Sequence, residues 1–305
     1  MKIRIGISTC PNDTFSFFPL LEHRLSTEGI EFDFCLSDVQ ELNERLQAGD
    51  LDVGKASFHA ALKLSDRYGV FAAGAALGFG NGPLLLARPG LVRSGVGDDG
   101  RFKGLSGPSV PGTTAAMRVL CPGPDTTAYL LYRLFYPDGA PAQHVVFSEI
   151  APALLAGEAD YGVCIHEGRF TYRQQGLGLV EDLGQRWEQE TRSPLPLGGI
   201  LGRLDLGSEV LGKISCLIQG SVREAMAHRE LALPTMRRHA QEFDDQVLWS
   251  HVDLYVNRWT EDLGDVGLAA LNELGRRAAA VGLVSEDRPW TIIPAQSVQS
   301  RGKIG

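Results

Sequence analysis

His166 has the type and setting most suited to chemistry. It follows the apolar run Val163-Cys164-Ile165 and precedes Glu167. A histidine at a strand end can act as a general base near neutral pH, because its ordinary pKa lies near 6.5. The same placement suits a structural histidine bonded to a backbone carbonyl, and the residues alone leave both readings open. Lys55 stands between Gly54 and Ala56 in an otherwise apolar strand. An ammonium there must extend to solvent or meet an anion. Ser57, Thr126 and Thr127 carry hydroxyls that can donate to a ligand oxygen or simply cap helices. Asn12 and Asp13 are turn formers, and Asp13 or Thr14 can cap a helix. His59, in Phe58-His59-Ala60-Ala61, reads as the start of a packed helix. Cys10 at a helix start would have a lowered pKa, but no histidine lies near it in sequence.

These residues need elements to bring them together, and an internal echo supplies a plan. Ala48-Gly49-Asp50-Leu51-Asp52-Val53-Gly54 recurs 108 residues later as Ala156-Gly157-Glu158-Ala159-Asp160-Tyr161-Gly162. Cys10-Pro11-Asn12-Asp13-Thr14 recurs loosely as Cys121-Pro122-Gly123-Pro124-Asp125-Thr126. Each copy reads as a strand, a proline turn and a helix: Lys2 to Ser8 before a helix through Phe15, Phe18, Leu21 and Leu25, and Met117 to Cys121 before one capped by Asp125 or Thr126. A helix through Val39, Leu42 and Leu46 feeds a strand ending at Ser57, and one from Ala151 to Ala156 feeds a strand ending at Ile165. Helix N-termini present free N–H groups and positive dipole ends, and ligands of open α/β sheets sit beyond the strands' carboxyl ends. Two lobes on one plan would therefore face a cleft containing Lys55, Ser57 and His166 and suited to a carboxylate. With Lys55 and two helix starts, that cleft can be locally positive.

The predicted fold is α/β and two-lobed. A larger lobe takes residues 1–88 and 197–305, a smaller one takes 89–196, and the chain crosses near 84–90 and 194–200. Leu91 to Ala115, rich in Gly, Ser and Pro, reads as a surface excursion, and the chain after Ser208 as helices bracing the first lobe.

Composition narrows the function classes. The 305 residues carry a net charge of -8, which argues against nucleic-acid or anionic-membrane partners. No apolar run reaches membrane-spanning length, and the N-terminus lacks a secretory pattern. Five scattered cysteines form no zinc spacing and read as reduced thiols in a cytoplasmic protein. GxGxxG, Walker A, HExxH and G-x-S-x-G are absent, so no dinucleotide, ATP or metal cofactor is implied.

Ile7-Ser8-Thr9-Cys10-Pro11-Asn12-Asp13-Thr14-Phe15 resembles the opening motif of the 1,4-dihydroxy-6-naphthoate synthase family, in the futalosine route to menaquinone. The similarity runs on through Lys55-Ala56-Ser57, Thr126-Thr127-Ala128-Tyr129, Ile165-His166-Glu167, Arg169-Phe170-Thr171-Tyr172 and His251-Val252. It implies a type II periplasmic-binding-protein-like fold serving as a cytoplasmic carbon–carbon lyase without cofactor or metal. The family cleaves cyclic de-hypoxanthine futalosine to 1,4-dihydroxy-6-naphthoate. His166 would be its proton-abstracting base, and Lys55, Ala56, Ser57, Thr126, Thr127, Asn12, Asp13 and Thr14 would surround a small carboxylate substrate. Thr9 stands where the family usually has proline, the 91–115 stretch is longer, and the tail after Ser285 is weakly matched. The related chorismate dehydratase and a non-catalytic small-anion binding protein are the alternatives, and a homodimer is left open.

Overall fold

The structure is a computed structural model and describes residues 1–91, 117–166, 168–240, 244–285 and 289–295. Most of the expected excursion and tail lie outside these residues, as does Glu167. Strands in chain order are β1 (Lys2–Ser8), β2 (Glu31–Ser37), β3 (Val53–Ser57), β4 (Tyr68–Phe71), β5 (Ala76–Gly78), β6 (Leu84–Ala87), β7 (Val119–Cys121), β8 (Ala142–His144), β9 (Tyr161–Cys164), β10 (Gly178–Asp182), β11 (Leu195–Arg203) and β12 (Ile292–Ile293).

They form two sheets. One runs β12-β4-β11-β3-β1-β2, with β5 also on β11, and the other runs β10-β6-β9-β7-β8. The internal echo is visible in both. β1 lies parallel between β3 and β2, and β7 lies parallel between β9 and β8. An antiparallel strand then joins each trio, β11 on β3 and β6 on β9. The pattern follows from burial. Ile3, Ile5 and Ile7 share one face of β1 and are fully buried.

Leu84–Ala87 corrects an expected boundary. The expected bounds put it in the first lobe, yet it pairs with Tyr161–Cys164 and Gly178–Asp182 in the second sheet. The chain therefore leaves the first sheet before residue 84, after Ala76–Gly78. It returns at Leu195, which pairs with Gly78. At this crossing Gly82 and Gly184 touch backbone to backbone. A Cβ on Gly82 would stand 2.3 Å from the Gly184 Cα, so neither position has room for a side chain.

The helices largely match the expected spacing, with two shifts. Val39–Ala48 is capped by Asp38, which accepts from Gln40 N, and stops at Gly49 with φ of 80°. The first helix begins at Pro11, not at Asp13 or Thr14, and ends at Leu21. Proline is favoured at a first helical position, and Cys10 at the cap makes no side-chain cap bond. Asp13 and Thr14 thus sit within the first turn. The other echo helix starts at Thr127 with Thr126 as its cap. Beyond β11, the helices Ser208–Ala227, Leu233–His239 and Asp245–Tyr255 pack on the first helix, with Phe15, Phe18, Ala225, Met236, Leu248 and Val252 in one core.

Candidate active site

A cavity of about 640 Å³, counting its open mouth, lies between the two sheets. The end of β1, the first turn of Pro11–Leu21 and the end of β3 line one side. The start of Thr127–Phe135 and His166, just past β9, line the other.

Lys55 has found its anion within the protein. The ammonium is 6% exposed, and Nζ lies 2.6 Å from Asp13 Oδ1. Asn12 Nδ2 also donates to Oδ1 at 2.8 Å, and Ser8 Oγ donates to Asp13 Oδ2 at 2.6 Å. Burying two charges is costly unless they are paired and hydrogen-bonded, and this pair has both supports. The expectation of a positive cleft is therefore corrected, since Asp13 neutralises Lys55. An ammonium has three donors, so Lys55 keeps capacity toward the cavity.

The hydroxyls divide differently from expectation. Thr126 Oγ1 accepts from Tyr129 N at 3.2 Å and donates to Gly123 O at 2.9 Å. Thr127 Oγ1 donates to Leu197 O at 2.7 Å. Both hydroxyl protons are used inside the protein. What this helix offers the cavity is backbone: the N–H groups of Thr127 and Ala128 lie in the first turn, where the helix supplies no carbonyl. Ser57 is the reverse case. It makes no cap bond, and its Oγ accepts from Asn43 Nδ2 at 3.3 Å, which leaves its own proton to donate. Ala56 contributes strand surface. Thr14 is fully buried, donates to Cys10 O at 3.1 Å and lies outside the cavity wall.

His166 sits in a left-handed backbone conformation with φ of 55°. Such a conformation costs a non-glycine residue about 1–3 kcal/mol and requires surrounding support. Arg169 N donates to its carbonyl at 3.2 Å, and Arg169 itself ties the following turn to Gly82 O and Asp182. The imidazole has Phe147 edge-on at 5.0 Å and His251 nearly parallel at 5.9 Å. Burial lowers its pKa to about 4; Asp13 opposes the shift and Lys55 adds to it. The ring is therefore unprotonated at neutral pH and able to accept a proton.

Two partners escaped the sequence reading as chemistry. Cys10 Sγ lies 3.5 Å from His166 Nδ1 and 3.6 Å from Nε2. The histidine absent near Cys10 in sequence is thus present in space. His251, 1% exposed, meets Asn12 Oδ1 through Nε2 at 3.0 Å. No local spacing announces either contact; the signal was the presence of both residues among the blocks of resemblance. His59 is fully buried as expected, and Thr126 O lies 3.3 Å from its Nδ1.

Parallel strand trios facing one cavity, each feeding a helix N-terminus, define an α/β fold of the periplasmic-binding-protein type. The alkanesulfonate-binding protein SsuA from Xanthomonas axonopodis pv. citri shares it at a TM-score of 0.68 and 14% identity, over 96% of this chain and 98% of that one. A crystal structure of an Archaeoglobus fulgidus protein matches at 0.81 and 29%, over 93% and 98%. The family model described as "Menaquinone biosynthesis" matches residues 3–280. A 1,4-dihydroxy-6-naphthoate synthase from Thermus thermophilus is 40% identical over 283 residues, 93% of this chain and 96% of the relative. One from Streptomyces coelicolor is 38% identical over 287 residues, covering 92% and 94%. The chain belongs to this menaquinone-biosynthesis family and is an enzyme.

Proposed function

We propose that the protein is a carbon–carbon lyase that converts cyclic de-hypoxanthine futalosine to 1,4-dihydroxy-6-naphthoate, with His166 as general base. The observation that carries this reading is an unprotonated imidazole on a cavity wall that the N-terminus of Thr127–Phe135 also lines. The substrate carboxylate would take the Thr127 and Ala128 N–H groups, the Ser57 hydroxyl and a remaining Lys55 donor. A helix N-terminus favours an anion by about 0.3–1 kcal/mol, more when partly buried.

His166 would then remove a proton from a substrate hydroxyl or ring carbon, and the carbon–carbon bond to a dihydroxyacetone-type fragment would break as that fragment leaves. The same donors, preorganised in a water-poor cavity, would stabilise oxyanion charge that develops nearby. The two sheets with their helices act as lobes closing on the substrate, which excludes water and fixes its orientation. A small-metabolite enzyme of this kind is placed in the cytoplasm under the same reading. The relatives' names do not favour chorismate dehydratase.

The test is His166→Ala. Turnover should fall about 10²–10⁴-fold, the range typical of a general base, while substrate binding by calorimetry persists. Turnover at the wild-type rate would remove His166 from the reaction.

A further inference from the structure

Behind His166 lies a chain of groups whose protons are fixed by their neighbours. Asp13 accepts from Lys55, Ser8 and Asn12, so it is an ionised acceptor with no proton to give. Asn12 must therefore turn its NH2 toward Asp13 and its oxygen toward His251. That oxygen, 3.0 Å from His251 Nε2, can only accept, so Nε2 carries the hydrogen. His251 is thus locked as the Nε2–H tautomer, and its buried Nδ1 has no hydrogen-bond partner among the described residues. Its ring lies 22° from parallel to His166 and is backed by Tyr255 at 4.4 Å.

We propose that His251 is a positioning residue for His166: fixed through Asn12 by Asp13, it presents a rigid neutral ring that holds the His166 imidazole in plane toward the cavity. The left-handed backbone of His166 makes that external support necessary. Among the described residues, the charged and titratable groups around the two rings are Cys10 at the cap of the first helix, Asp13 in its first turn, Lys55 from β3, and Tyr255 beside His251. A second imidazolium next to His166 would repel the proton that His166 must accept, and burial keeps His251 well below its ordinary pKa.

The inference rests on His166 being the base, so the test separates the two. Nitrogen-15 NMR of histidine-labelled, unliganded wild-type protein should show His251 protonated on Nε2 and bare on Nδ1 at pH 7. In His251→Ala the His166 titration should move upward toward 6.5, as its cover is lost. With the proposed substrate, His251→Ala should lose about ten- to hundredfold in kcat with KM within about twofold. His251→Phe, which keeps a flat ring, should recover most of it. If His251→Ala does not fold, Asn12→Ala serves in its place and should yield a mixture of His251 tautomers and a lower kcat. An Nδ1–H tautomer in the wild type, an unmoved His166 titration, or His251→Phe as slow as His251→Ala overturns the proposal. Correct NMR signatures in an enzyme inert toward the substrate overturn the functional reading and leave the positioning role standing.

Discussion

The His166 imidazole is held unprotonated by burial, and this has a consequence for its pH dependence. A base with pKa lowered to about 4 stays competent as pH falls through 6.5. The acid limb of kcat/KM is therefore expected between pH 4 and 5, measured by initial rates in the range where the protein remains folded. A limb at 6.5 would mean that the ring is solvated during turnover. Lys55 and Asp13 make a second residue-level case. Lys55→Met leaves a buried carboxylate without its cation and should destabilise the protein by about 3–5 kcal/mol in urea melts. Adding Asp13→Asn should restore a large part of that, and independent, additive losses would deny the coupling. Type and position made Lys55 and His166 stand out in the sequence, whereas Asp13 reads there as a turn former and in the structure is the partner of Lys55. The direction of each bond was not legible. Whether a threonine hydroxyl faces a ligand or a carbonyl depends on Gly123 O and Leu197 O, groups brought there by tertiary structure.

At the scale of elements, the repeated strand, turn and helix were readable because both echoes carry the same punctuation. β1 and the cap at Thr126 follow from local patterns. The start of the first helix did not, because Pro11 at its first position outweighs the capping preference of Asp13. The allegiance of Leu84–Ala87 was also hidden. Four apolar residues make a buried strand, but nothing in them names the sheet they join. The crossing itself is tight. Gly82→Ala must separate two backbones in van der Waals contact, and it should cost about 1–3 kcal/mol or more by overpacking, read as a lowered urea midpoint. A midpoint equal to wild type would show that the crossing is looser than the structure has it.

Across the whole molecule three histidines are held neutral: fully buried His59 and half-buried His166 with pKa values lowered to about 4, and buried His251 lowered well below 6.5. The unfolded chain binds protons at these sites near pH 6.5, while the folded protein does not. Stability is therefore complete above about 6.5 and falls as pH drops toward 4, at up to about 1.4 kcal/mol per pH unit for each group. Urea melts at pH 7.5 and 5 should show a loss of several kcal/mol. Equal midpoints would contradict the neutral burial of these rings. The net charge of -8 hinted at none of this, because the cavity's charges cancel locally at Lys55 and Asp13. The two-sheet plan and the family were within reach of the sequence, while the network binding Cys10, Asn12 and His251 to the site needed the fold. The reaction is decided by incubating purified protein with cyclic de-hypoxanthine futalosine and, separately, with chorismate, and following both by mass spectrometry. A lyase of this kind yields 1,4-dihydroxy-6-naphthoate from the first and leaves the second unchanged; consumption of chorismate, or binding of the futalosine derivative with no product formed, would rule that activity out.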